Sequence, residues 1–357
     1  MKQITVFGAL ALVIPVLNSG CDSSEIDPVA ELRSSNDAAV EKCIVTPTTA
    51  YNFELPAHIP QFAVSNNNLT TEEGVALGKR LYYDLMLSEG GPLQGNACAT
   101  CHVQETNFAN NEPGTSVLPH TNLNWANFFL WDGKISGSLE DIMEFEIAEF
   151  FQTNAELFKA DASYQKLNCE AFGTSDISTT DMANALAQWL RTHVSFNSRY
   201  DLYKANLIDL TPQEKRGELL FNSNLGDCFK CHQLPLTTDN SFHNNGLEAD
   251  PVNASNPGRH AVTGDPSDYG RFKTPSLRNA ELTAPYMHDG RFQTLEEVIE
   301  HYNSGVQFSE TLDVVMVTPD RLYNLQMDDS DKAALVAFLK TFTDTAYLNN
   351  PEFSNPF

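Results

Sequence analysis

CFKCH (Cys228–His232) repeats, with two residues changed, a pentapeptide that stands 130 residues earlier, CATCH (Cys98–His102). Two cysteines three positions apart with a histidine directly after them are the pattern of covalent haem attachment. Each thiol forms a thioether to one vinyl group, and the imidazole faces the iron. A bare Cys-x-x-Cys also serves thioredoxin-like redox pairs and half zinc sites. The adjacent histidine and the second copy weigh against both. Each pentapeptide is therefore expected to hold one haem c, attached through Cys98 and Cys101 and through Cys228 and Cys231, with His102 and His232 as proximal iron ligands.

Working outward, the sequence around the two sites is also duplicated. LTTEEGVALGKRLYYD (Leu69–Asp84) precedes the first and LTPQEKRGELLFNS (Leu210–Ser223) the second. Each opens on Leu-Thr, carries acidic residues in its first turn and spaces its apolar residues as a helix does. Further helical stretches are expected over 139–151, 180–202, 294–302 and 330–341. The segment from Thr237 to Gly270 is so dense in Gly, Pro, Asn and Asp that neither helix nor strand is expected there. Such a loop in a packed chain suits the wrapping of a large ligand. The fold expected is all-α with long irregular loops, as two cytochrome c-like domains over 51–205 and 206–357, each holding one covalently attached haem.

The chain has 357 residues, 41% hydrophobic and 19% charged, which is ordinary globular composition. Its formal charge of -25 excludes nucleic acid as a partner, because little basic surface is left to neutralise phosphates. An acidic surface keeps a protein soluble and can steer a basic protein partner. Residues 1–20 read as an export signal: Lys2, then ITVFGALALVIPVL, too short to span a bilayer. Ser19, Gly20 and Cys21 form a candidate lipoprotein processing site, with Asn18 where an aliphatic residue is usual. Residues 21–50 would then be a flexible leash, and the mature protein would lie in the periplasm or at the cell surface, either anchored by lipid or free. Of seven cysteines, Cys43 and Cys169 remain unassigned. In an oxidising compartment they are expected to form a disulfide; the alternative is a pair of buried thiols.

FKTPSLRNAELTAPYMHDGRFQTLEEVIEHYNSG (Phe272–Gly305) resembles the signature of bacterial di-haem cytochrome c peroxidases and their MauG-type relatives. FFLWDGKISGSLEDIMEFEIAEF (Phe128–Phe150) is similar to the Trp-Asp-Gly segment of their first domain. The resemblance runs from about Pro60 to Thr343. It implies that the His102 haem binds peroxide while the His232 haem is six-coordinate and relays electrons. Most peroxidases place a Met as the relay haem's distal ligand; here that position is Tyr302, as in the MauG-type branch, with Met287 as the rival. A phenolate ligand stabilises oxidised iron, which implies a low-potential relay. Trp131 matches the tryptophan between the haems. The backbone carbonyls of Thr283 and Pro285, with the side chain of Asn122 or Asn124, match a calcium site.

The resemblance also implies a distal glutamate that moves a proton between the peroxide oxygens. Glu149 matches it, with Glu146 as the alternative; a family Gln is replaced by Ile142. His120, near the position of a capping histidine, reads as a loop residue. The expected activity is a cytochrome-c peroxidase type of oxidation-reduction with hydrogen peroxide. The reductant is a small electron-donor protein (a cytochrome c or cupredoxin) or, in a MauG-like alternative, a protein substrate; a homodimer is compatible with the resemblance. The rival from another class is a non-catalytic di-haem electron carrier, with both irons six-coordinate.

Overall fold

A threonine cap and acidic residues in the first turn start each of the two helices that lead into the CxxCH pentapeptides. In the computed structural model, which describes residues 43–109, 116–317 and 324–357, the chain is helical with little strand. The export signal, Cys21 and most of the leash lie outside the described residues. The first helices are α1 (Glu72–Tyr83), α2 (Cys98–Cys101), α3 (Leu139–Phe145), α4 (Ala155–Ala160), α5 (Ala162–Phe172) and α6 (Thr179–Arg191). They are followed by α7 (Arg199–Lys204), α8 (Pro212–Phe221), α9 (His260–Thr263), α10 (Leu295–Glu300), α11 (Asp329–Lys340) and α12 (Thr345–Leu348). Thr71 caps α1 by accepting from the Gly74 N–H, and Thr211 caps α8 by accepting from Glu214. The helix expected over 180–202 is two helices, because Ser198 caps a new start at Arg199.

Two helix pairs carry the packing, and they are built alike. GKRLY (78–82) of α1 lies on α6 and the two residues after it, ALAQWLRTH (185–193), and GELLF (217–221) of α8 lies on α11 and the two residues after it, ALVAFLKTF (334–342). A Cβ on Gly78 would stand 2.0 Å from the Ala185 carbonyl oxygen, and one on Gly217 would stand 2.0 Å from that of Ala334. Only glycine permits either approach. Leu81, Tyr82, Leu186 and Leu190 are buried in one apolar cluster; Leu220, Phe221, Leu335 and Phe338 are buried in the other. Each such side chain contributes about 1.5–3 kcal/mol by leaving water.

The described residues from Cys43 onward form one compact unit. Tyr347, Leu348 and Phe353 return to the first cluster, a path that the expected boundary at residue 206 does not anticipate. The Arg278 guanidinium, 1% exposed, pairs with Asp201 at 2.6 Å and donates to the Pro235 carbonyl. Cys43 and Cys169 are joined as a disulfide, which ties the N-terminal segment to α5.

Strands are two residues long. β1 (Phe128–Phe129) pairs antiparallel with β2 (Ile135–Ser136), holding the Trp-Asp-Gly turn between them. β3 (Phe242–His243) pairs with β4 (Phe272–Lys273). β3 and α9 both fall in the Gly/Pro/Asn-rich segment from which the sequence excluded regular structure. Pairing with β4 and the Gly264 cap, not local propensity, form them. Among the described residues no helix is long and apolar enough to cross a membrane.

Candidate active site

The two histidines expected as proximal ligands are fixed in the same way. His102 Nδ1 lies 2.7 Å from the Phe108 carbonyl, and His232 Nδ1 lies 3.0 Å from the Thr237 carbonyl. A carbonyl only accepts, so each Nδ1 carries the proton and each Nε2 is left as a metal donor. Burial pushes His102 down to about 4 and His232 down as well, which keeps both imidazoles neutral, the form that can bind a metal.

The second site has the room and the chemistry for a haem. A largely apolar cavity is walled by Cys228, Cys231, His232, Met287, Tyr302 and Trp131. Both candidate sixth ligands thus face the space beside His232. Burial pushes the Tyr302 phenol up to about 12. Met287 sits at φ +69°, a left-handed conformation rare for a long side chain. Trp131 is pinned by its indole N–H, which donates to the Ser116 carbonyl at 3.0 Å, and its own carbonyl accepts from the Lys273 N–H.

The first site is arranged differently. Cys98 is buried and Cys101 is exposed. The His120 ring stacks on His102, with centroids 3.4 Å apart, and its Nδ1 is 3.1 Å from the Tyr82 hydroxyl. His120 lies in a loop, as expected, and Tyr82, from α1, holds its ring against His102.

The two glutamates separate. A wide π-helical turn, Glu146–Phe150, continues α3, with the Phe151 N–H donating back to the Glu146 carbonyl. An α-helix would put Glu146 and Glu149 on one face; the wider turn rotates Glu149 into solvent. Glu146 stays half-buried, near enough for its charge to act on Cys98, and burial pushes its carboxyl up to about 7. Ile142 is in the core and offers no polar group.

A second π-helical turn, His301–Gly305, continues α10 and carries Tyr302. The two turns are equivalent. Ser138 caps α3 and Thr294 caps α10, each with a capping box, and Glu146 and Tyr302 are each the eighth residue after the cap. The duplication visible around CxxCH thus extends to these two turns, where a carboxylate in one half answers a phenol in the other.

Sequence reasoning missed two further residues. Asn245 donates to the Tyr302 hydroxyl at 3.2 Å. His243 lies between Asp239 and Asp313, which push it up to about 12 and keep a positive charge in the cavity wall. The four-residue spacing from Asp239 to His243 was a local signal for the second; Asn245 had none. Of the calcium candidates, Asn122 Oδ1 accepts from the Ser195 N–H, whereas Asn124 Oδ1 is buried with no partner among the described residues. Among the described residues no cluster of three or more His, Cys, Asp or Glu is placed to hold a metal ion.

Known proteins share the fold and part of the sequence. The family model for di-haem cytochrome c peroxidase matches residues 72–207. The methylamine utilization protein MauG of Methylorubrum extorquens is 33% identical over 81% of this chain and 82% of its own. The cytochrome-c peroxidase IdrP2 of Denitromonas iodatirespirans is 30% identical over 75% of this chain and 81% of its own. Among solved structures, a MauG-like protein associated with microbial copper homeostasis superposes with a TM-score of 0.78 at 31% identity, covering 86% of this chain and 99% of that one. The chain belongs to the family of di-haem cytochrome c peroxidases and MauG.

Proposed function

We propose that the protein is an exported di-haem c-type peroxidase that reduces hydrogen peroxide at the haem on His102, with electrons relayed from the haem on His232. Bound haem supplies the redox-active iron at both sites. The observation that carries the division of labour is the equivalence of Glu146 and Tyr302. One module presents a proton-carrying group at the position where its twin presents an iron ligand.

Glu146, rather than Glu149, moves the proton between the peroxide oxygens. Its raised affinity for a proton suits a group that must take one up and release it near neutral pH. Cys98, Cys101 and His102 hold the first haem; Cys228, Cys231 and His232 hold the second. Tyr302 is the second haem's sixth ligand, and the Trp131 indole in that cavity wall is the relay between the centres. Thr283, Pro285 and Asn124 are the calcium ligands, the unpartnered Asn124 oxygen favouring it over Asn122. The reductant is a small electron-donor protein or an oxidisable side chain of a protein substrate. Export through residues 1–20, with or without a lipid on Cys21, places the reaction outside the cytoplasm.

Low-temperature EPR of the resting holoprotein tests this reading. One high-spin and one low-spin ferric signal, both altered by one equivalent of peroxide, are expected. Two low-spin signals that peroxide leaves unchanged would make the protein an electron carrier.

A further inference from the structure

Two candidate ligands, an oxygen and a sulfur, face the same side of the cavity beside His232, and one side-chain amide touches both. Asn245 Nδ2 is 3.2 Å from the Tyr302 hydroxyl oxygen and 3.4 Å from Met287 Sδ. An amide nitrogen carries two hydrogens, so it can serve both atoms at once. Its effect on them is opposite. A hydrogen bond from nitrogen to thioether sulfur engages a lone pair that the sulfur would otherwise offer to a metal. A hydrogen bond to phenol oxygen leaves a further lone pair free and is strengthened by any negative charge on that oxygen.

The amide is not a passing contact. The Asn245 carbonyl lies 3.0 Å from His301 Nε2, the residue before Tyr302. The neighbouring Asn244 is buried, and its amide donates to Ser309 and Thr311. The Gln307 N–H donates to the Gly246 carbonyl at 2.8 Å. The segment 244–246 is thus laced to the chain just after the π-helical turn that carries Tyr302. The geometry holds the amide in register with the phenol whatever the other wall does.

We propose that Asn245 is the positioning residue that selects Tyr302 over Met287 as the sixth ligand of the second haem, and so keeps that centre at low potential. The inference rests on the reading of the second site given above. It adds that ligand choice is decided by a third side chain and is reversible by one substitution.

The test uses the holoprotein with both haems attached, read by near-infrared absorption, EPR and potentiometry. Asn245→Leu removes the donor. The expected result is gain of the sulfur-to-iron charge-transfer band that wild type lacks, a change in the low-spin EPR signal and a rise in the second centre's potential. Adding Met287→Leu should abolish the new band. Asn245→Asp, close to the same size and retaining the backbone bond to His301, should shift the spectra and potential in the same direction if the leucine variant fails to fold. Wild-type spectra and potential in folded Asn245→Leu or Asn245→Asp protein would overturn the inference. Tyr302→Phe is the separate control: an unchanged low-spin signal there would instead remove Tyr302 as the ligand.

Discussion

The two halves share a scaffold and differ in what fills it. α1 on α6 and α8 on α11 meet through the same glycine-to-carbonyl approach, and each haem-attachment motif is followed by a carbonyl that tethers its histidine. Against that sameness, Tyr82 answers Phe221, His193 answers Phe342, and Glu146 answers Tyr302. The first half has polar, titratable groups where the second has hydrocarbon in its core. It also has a carboxylate where the second has a phenol. A duplicated scaffold has thus been specialised by a few substitutions at equivalent positions, with the backbone left alone.

The largest test of that contrast is at Glu146. Replacing it with Gln keeps size and burial but removes the proton carrier proposed above, and peroxide turnover is expected to fall by about 10²–10⁴-fold. Glu149→Gln, on the solvent side, should leave turnover within about twofold, since surface changes away from special features rarely matter. The pH profile gives the sign. With a carboxyl pushed up to about 7 by burial, Glu146 holds its proton below that value and can accept one above it. Wild-type kcat/KM should therefore rise through about pH 7, and the Gln variant should lose that limb. Equal losses in the Glu146 and Glu149 variants would erase the distinction between the two sites' distal walls.

The next effect concerns what holds the halves together. Arg278, from the second half, is buried against Asp201, and it also lies over the rings of Phe196 and Phe342. Arg278→Met leaves the buried carboxylate without its guanidinium, with only Ser198 and His58 as partners among the described residues, a loss expected to be about 3–5 kcal/mol in denaturant unfolding. Burial alone would raise the Asp201 carboxyl. The charge of Arg278 and the bonds from Ser198 and Arg278 outweigh it and hold the group below the usual carboxylate range. A depressed carboxylate contributes stability above its unfolded value, near 3.9, that is lost as pH falls through the lower folded value. Wild type should lose this contribution only below about pH 4. Arg278→Met should lose stability already at neutral pH, and an unchanged unfolding midpoint would show that the pair does not brace the halves.

Much of this was legible in the sequence. The CxxCH pentapeptides, the helices leading into them, the Trp-Asp-Gly turn and the cysteine pair left over all depend on local pattern. What could not be read depends on register or on distant contacts. Glu146 and Glu149 are indistinguishable at α-helical spacing, and only the wider turn after Phe145 parts them. His120 is fixed by Tyr82 and His102, each about twenty residues or more away in the chain. Asn245 sits in a loop without periodicity, and its partners are more than forty residues further on. The equivalence of Glu146 with Tyr302 joins chemically unlike residues, so similarity of side chains hides it while position after the cap reveals it.

The smallest effect sharpens the comparison from inside the first core. His193 is fully buried among Phe108, Trp189 and Phe353, and among the described residues neither of its ring nitrogens has a hydrogen-bond partner. Its counterpart Phe342 makes the same kind of aromatic contacts with no polar atom to satisfy. An unsatisfied buried group costs about 1–3 kcal/mol, and a slightly larger ring returns part of that as crowding. His193→Phe should therefore raise the stability of the holoprotein at neutral pH by about 1 kcal/mol. Burial, with His102 nearby, pushes His193 down to about 3. A depressed imidazole is neutral in the fold but takes up a proton on unfolding. Its contribution is therefore fully present above its unfolded value, near 6.5, and is lost as pH falls toward 3. The Phe variant should show a shallower loss of stability across that window. A destabilised variant with the wild-type pH slope would mean that this histidine is satisfied in the folded protein, and that the first core is not the less settled of the two.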